Sequence, residues 1–169
     1  MSDTFLGWYF AQPDGRLANG DGRRIVLGET HKVTGWPVLC AHGLHASPTV
    51  LDALQYAQSA ILYRVSLSGG IVHGDDKSCA TERAYLARLD AADVLRKFAR
   101  ECALSVVGLW DAPNVVREFL TTGDESCRAA AWDAAAPVAA SAAAWGGAWA
   151  SHKHRLEQMA LDAINEVRP

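Results

Sequence analysis

The stretch Ile61–Ser68 constrains the fold more than any other: Ile61, Tyr63, Val65 and Leu67 alternate with Leu62, Arg64, Ser66 and Ser68. Successive side chains of extended backbone point to opposite faces, so this period of two predicts a strand with one buried face. Gly69-Gly70 reads as its end. Such a strand needs partners for its backbone, and Phe5–Phe10 and Arg24–Leu27 read as two further strands. Between them, Pro13-Asp14-Gly15 and Asn19-Gly20-Asp21-Gly22 supply turn chemistry, because glycine and asparagine tolerate positive φ. Ser47-Pro48 reads as an N-cap with proline at the first helical position, opening a helix that buries Val50, Leu51, Leu54 and Ala57.

The pattern changes near Leu89. Before it the chain carries eight basic and eight acidic residues; the remainder carries eight and eleven, so the net charge of −3 (16 basic against 19 acidic) lies in the second half. That half reads as helical. Asp90 caps a helix with Val94, Leu95, Phe98 and Cys102 on its apolar face. Asp111 and Pro113 open a second helix that Gly123 ends, Asp124 opens an alanine-rich run broken by Pro137, and Ser151–Val167 is a last amphipathic helix. The expected architecture is therefore α+β: an N-terminal antiparallel sheet-rich domain over residues 1–89, then an α-helical region over residues 90–169. Trp132, Trp145 and Trp149 fall on one side of a helix if Pro137 only kinks it. That stripe either packs internally or faces a partner.

Composition excludes several classes. Half of the residues are apolar, enough for a core and against wholesale disorder. The balanced charge gives no basic footprint for nucleic acid. Ala134–Ser151 has no formal charge, but it is mostly alanine with Pro137 and Gly146-Gly147, too weakly apolar for a membrane span. Met1–Phe10 carries Asp3 and no basic leader region, so no secretory signal is expected, and the four cysteines read as reduced thiols.

Candidate chemistry concentrates in Cys40-Ala41-His42-Gly43-Leu44-His45. Thiolate and imidazole are zinc ligands, yet a structural site wants four ligands, and His31, His73 and Cys79 stand at irregular distances. The expectation is no metal. A cysteine nucleophile with a histidine base is the other chemical reading of this cluster, and a strand followed by a turn is the structural one. Asp75-Asp76-Lys77 reads as a solvated turn. Phosphate-loop, dinucleotide-fingerprint, nucleophile-elbow and zinc-protease motifs are missing.

Cys40-x-x-Gly43-Leu44-His45-Ala46, Leu51-Asp52-Ala53-Leu54-x-Tyr56, Leu62-Tyr63-x-Val65 and Asp76-Lys77-Ser78 together resemble a family of uncharacterised phage and prophage proteins with an Ala/Trp-rich helical tail. More distantly, Gly43-Leu44-His45-Ala46, Tyr56 and Leu62–Gly69 resemble the core of ADP-ribosyltransferases of the poly-ADP-ribose polymerase type. That second resemblance implies NAD as cofactor, its nicotinamide held by His45 and Tyr56, and a catalytic carboxylate at Glu82 or Glu29. His45 stands where that family has tyrosine, and the family's first-strand histidine or arginine has no counterpart near Gly7-Trp8-Tyr9.

The phage resemblance implies an accessory protein in the host cytoplasm that binds a host protein or complex without catalysis or cofactor, for example by blocking a defence complex such as a CRISPR effector. Trp145 and Trp149 are the expected anchors for that partner, with neither membrane nor sequence-specific nucleic acid involved. The alternative is an NAD-dependent ADP-ribosyltransferase acting on a host target.

Overall fold

The alternation at Ile61–Ser68 builds the middle of a five-stranded antiparallel sheet, as seen in a computed structural model that describes residues 3–18, 21–139 and 149–167, with backbone only for 136–139 and 149–151. The strands are β1 (Phe5–Phe10), β2 (Thr30–Lys32), β3 (Leu44–Ala46), β4 (Ile61–His73) and β5 (Ser78–Asp90). The fold is α+β, the sheet in the N-terminal half being followed by helices. The strand order is β1-β4-β5-β2, and β3 pairs with β5 beside the same edge as β2. Strand β4 continues past Gly69-Gly70, where the expected end is instead an irregularity in the β4/β5 ladder between Ser68 and Ile71. Gly69 makes this work: its φ is +79°, and a Cβ there would meet the Thr81 hydroxyl at 2.1 Å.

Arg24–Leu27 forms no strand. Arg24 makes a single bridge to Arg16, and pairing with β5 falls to Thr30–Lys32 instead. The helix after Ser47-Pro48 is the short α1 (Val50–Leu54), capped by Thr49, whose side-chain oxygen accepts from the Asp52 backbone N–H at 3.2 Å. The cap lies two residues beyond Ser47 because Ser47 is engaged in exchanging backbone hydrogen bonds with Trp8 (2.8 and 2.9 Å). That exchange joins β1 to the end of β3. Gly7 permits the approach, since a Cβ there would lie 2.8 Å from the Ser47 carbonyl and 2.9 Å from Ala46 Cβ.

The chain forms two compact units, residues 1–92 with 155–169 and residues 93–154. In the first, Leu17, Ile25, Leu44, Tyr63, Val65, Leu67 and Tyr85 form a buried cluster. Burial of each large side chain contributes on the order of 1.5–3 kcal/mol. Leu62 is buried as well, although its phase is the polar one, because α5 (Trp149–Glu166) sends its C-terminal part to this face. There Glu157 accepts hydrogen bonds from the Trp8 indole (2.6 Å) and the Val50 backbone N–H (3.1 Å) and stands 3.7 Å from Arg64.

The second unit contains α2 (Ala92–Val106), whose N-terminal N–H at Ala92 bonds to Asp90 at 3.1 Å. It also contains α3 (Asn114–Thr122), ended by Gly123, and α4 (Arg128–Ala139), which runs through Pro137 rather than stopping there. Trp132 of α4 is 77% exposed. Trp145 lies outside the described residues, as does the side chain of Trp149, so the stripe of three is represented by Trp132 alone. Among the described residues no helix is long and apolar enough to cross a membrane.

Candidate functional site

The segment after β2 reverses at Val38–His42, where Val38 and His42 exchange backbone hydrogen bonds of 2.7 and 2.8 Å. The tightness of this reversal puts Cys40 in the left-handed region, at φ +64°, the one non-glycine residue so placed among those described. For an L-residue this conformation costs roughly 1–2 kcal/mol. His45 holds the reversal in place: its Nε2 accepts the Cys40 backbone N–H at 3.2 Å. The acceptor role leaves the ring proton on Nδ1. Burial, then the charges of Lys77 and Arg83, push His45 below its ordinary value, so the ring is neutral at pH 7.

This geometry decides the cysteine-histidine cluster. His42 Nε2 bonds to the Thr34 carbonyl at 2.7 Å, and His45 bonds to the backbone of Cys40, not to its sulfur. Among the described residues no three histidine, cysteine, aspartate or glutamate side chains are gathered to hold a metal ion. The group beside the exposed Cys40 thiol is the Lys77 ammonium. Burial works to lower Lys77, but Cys40 and Tyr56 outweigh it and hold the ammonium above its ordinary value.

The Asp75-Asp76-Lys77 turn is more engaged than a solvated turn would be. It closes the β4/β5 hairpin, with the Gly74 N–H bonded to the Lys77 carbonyl at 2.9 Å. The Tyr56 hydroxyl donates a short hydrogen bond to the Asp76 carboxylate, and Lys77 Nζ sits 4.0 Å above the Tyr56 ring. Segments of sequence far apart, around Cys40, His45, Tyr56 and Lys77, thus meet at one place.

They meet on the wall of a pocket of about 890 Å³, which Tyr9 and Phe10 of β1 and Arg83 of β5 complete. This volume falls within the roughly 300–1,000 Å³ common for small-ligand sites. His45 and Tyr56 both line it. Glu82 does not: on the strand it neighbours Arg83 and so faces the other way, where Lys32 (2.8 Å) and Ser68 (3.3 Å) engage its carboxylate. Lys32 foremost holds Glu82 below the usual carboxylate range. Glu29 is exposed and also lies off the pocket wall. The pocket's one lining carboxylate among the described residues, Asp21, is gripped by Arg23 through two bonds of 2.7 Å.

Arg83 is the residue that sequence reasoning missed. It is 2% exposed, stacks 3.7 Å from the Tyr9 ring, and donates to the Tyr85 hydroxyl (3.1 and 2.9 Å) and to the His45 carbonyl. The Tyr85 hydroxyl also meets His31 Nδ1 at 2.9 Å, so one buried polar network ties β2, β3 and β5 together. The signal was available: Arg83 shares the phase of Tyr85, which stands opposite Val65 on the buried face of the sheet.

Residues 22–97 match the family described as a domain of unknown function (DUF7666), a span that includes most of the pocket wall, from Arg23 to Arg83, but not β1. No curated protein and no solved structure matches the chain.

Proposed function

We propose that the sheet unit is a binding module for a nucleotide-class ligand, with NAD as the first candidate, and that it binds without transferring ADP-ribose. The observation that carries this reading is that His45 and Tyr56, the two ring-holding positions implied by the ADP-ribosyltransferase resemblance, line one pocket with Tyr9. Planar rings stack favourably on such aromatic faces, and a cationic ring more so. Transfer asks for a carboxylate that orients the ribose hydroxyl and stabilises the cation-like transition state. Glu82 is turned away, and Asp21 is already paired with Arg23. That arrangement supports binding over catalysis.

The test is an NAD titration followed by melting temperature. Wild-type protein is expected to melt higher in millimolar NAD, by linkage, and Tyr56→Ala to lose the rise while Glu82→Gln keeps it. No rise with wild-type protein overturns the proposal. Labelled product in host lysate, lost in Glu82→Gln, would replace binding by transfer.

One observation supports the second reading, capture of a host macromolecule by a phage protein: Trp36 and Trp132 are 71% and 77% exposed. Exposed tryptophans are frequent interface anchors. Alanine at Trp36, Trp132, Trp145 or Trp149 is expected to weaken capture of a host partner while circular dichroism is unchanged; unaltered capture in all four refutes this reading.

A further inference from the structure

The charges of the pocket do not cancel. Arg23 and Asp21 neutralise each other, while Arg83 and Lys77 have no carboxylate in ion-pairing distance among the described residues. Lys77 faces the Tyr56 ring and the Cys40 thiol. Arg83 is enclosed by a phenol, a carbonyl and two aromatic rings, all of them neutral. Of the five N–H donors of a guanidinium, those three hydrogen bonds use three. A buried cation without a counter-ion is costly, and an anion that arrives with the ligand removes that cost. We infer that Arg83 and Lys77 form a subsite for the phosphoryl groups of the ligand, a diphosphate matching two positive charges of which one is a planar fork and the other a point charge.

The division of labour follows from the chemistry. A guanidinium presents paired donors in a fixed plane, suited to two oxygens of one phosphoryl group, and an ammonium on a flexible stem follows the second group. Burial first, and then the positive charges of Lys77 and Arg83, hold His45 below its ordinary value beside them. The subsite rests on the nucleotide reading for its pocket, but it has its own ligand chemistry and its own test.

Inorganic pyrophosphate is the probe, titrated against the full chain at constant ionic strength with melting temperature and calorimetry as readouts. Wild-type protein is expected to bind it. Lys77→Gln, on a partly exposed side chain, should weaken binding roughly tenfold, the loss of one charge-assisted contact. Arg83→Lys should weaken it further, and Lys32→Gln, a charge loss away from the pocket, should not. If Arg83→Lys fails to fold, Lys77→Gln still decides. Pyrophosphate that does not bind wild-type protein, or binds Lys77→Gln equally well, overturns the subsite. If NAD binds with a Tyr56 dependence while pyrophosphate does not, the subsite fails and the nucleotide reading stands. Pyrophosphate binding that depends on Lys77, with no gain for NAD, keeps the subsite and ends that reading.

Discussion

Glu157 is the best place to test how the sheet unit holds its C-terminal helical segment. Its carboxylate satisfies the indole N–H of the fully buried Trp8, closes the open N-terminal N–H of α1 at Val50, and faces Arg64, which itself lies 4.6 Å over the Trp8 ring. In Glu157→Ala the indole donor is left buried without an acceptor, a cost of about 1–3 kcal/mol. The Val50 N–H regains water in part, and the Arg64 pair, about a quarter exposed on each side, adds no more than about 1 kcal/mol. The sum is about 2–4 kcal/mol, which for a chain of this length lowers the melting temperature by roughly 4–16 °C. Glu157→Gln keeps one oxygen and should lose about half as much.

The assay is urea unfolding of Glu157→Ala, Trp8→Phe and the double variant. Because Trp8→Phe removes the donor itself, the penalty for orphaning it disappears in the double variant, and the two changes should be coupled by about 1–2 kcal/mol. Additivity to within about 0.5 kcal/mol would refute the reasoning and show that the 2.6 Å contact contributes nothing of its own.

Three further outcomes are expected. His31 and His45 are both pushed below about 6.5, chiefly by burial, so the folded protein resists protonation and the unfolded chain binds protons first. Their contribution to stability is fully present above about pH 6.5 and declines as pH falls from there through the folded values; a melting temperature that rises on acidification from pH 7 to 5 contradicts this. Gly69→Ala, which forces a side chain onto positive φ and against Thr81, should cost upwards of 1 kcal/mol in chemical denaturation, and an unchanged midpoint would show that the irregularity relaxes freely. Purified protein should carry no stoichiometric zinc, and a chelator should leave its melting temperature unaltered; one zinc per chain by elemental analysis would overturn the reading of His42 and His45 as backbone-bonded rings.

Local rules were sufficient where one residue's neighbours along the chain decide its state. The alternation at Ile61–Ser68, the Asp90 cap and the Gly123 stop each rest on chemistry within a few residues, and they appear in the fold as read. The α+β class follows from them. What failed locally did so for tertiary reasons. Arg24–Leu27 has strand composition, but its backbone bonds to the preceding turn at Gly15 and Arg16, and the pairing with β5 goes to Thr30–Lys32. Ser47 has cap chemistry, but its backbone is engaged by Trp8. Leu62 lies in the polar phase and is buried because a helix from the far end of the chain covers it.

The candidate site shows the same division. Its motif residues Cys40, His45, Tyr56 and Lys77 were legible as unusual, since each carries chemistry inside a short pattern. Their convergence was not, because pairing of β3 with β5 and the hairpin turn at Asp76-Lys77 set it. Glu82 and Arg83 are the sharpest case. They are adjacent in sequence and equally charged in magnitude, yet one phase of a strand turns the glutamate to Lys32 on the outside and seals the arginine among Tyr9, Tyr85 and the His45 carbonyl. The sequence alone supplies the charges; which of them faces the pocket is decided by the register of β5, because a strand sends neighbouring side chains to opposite faces.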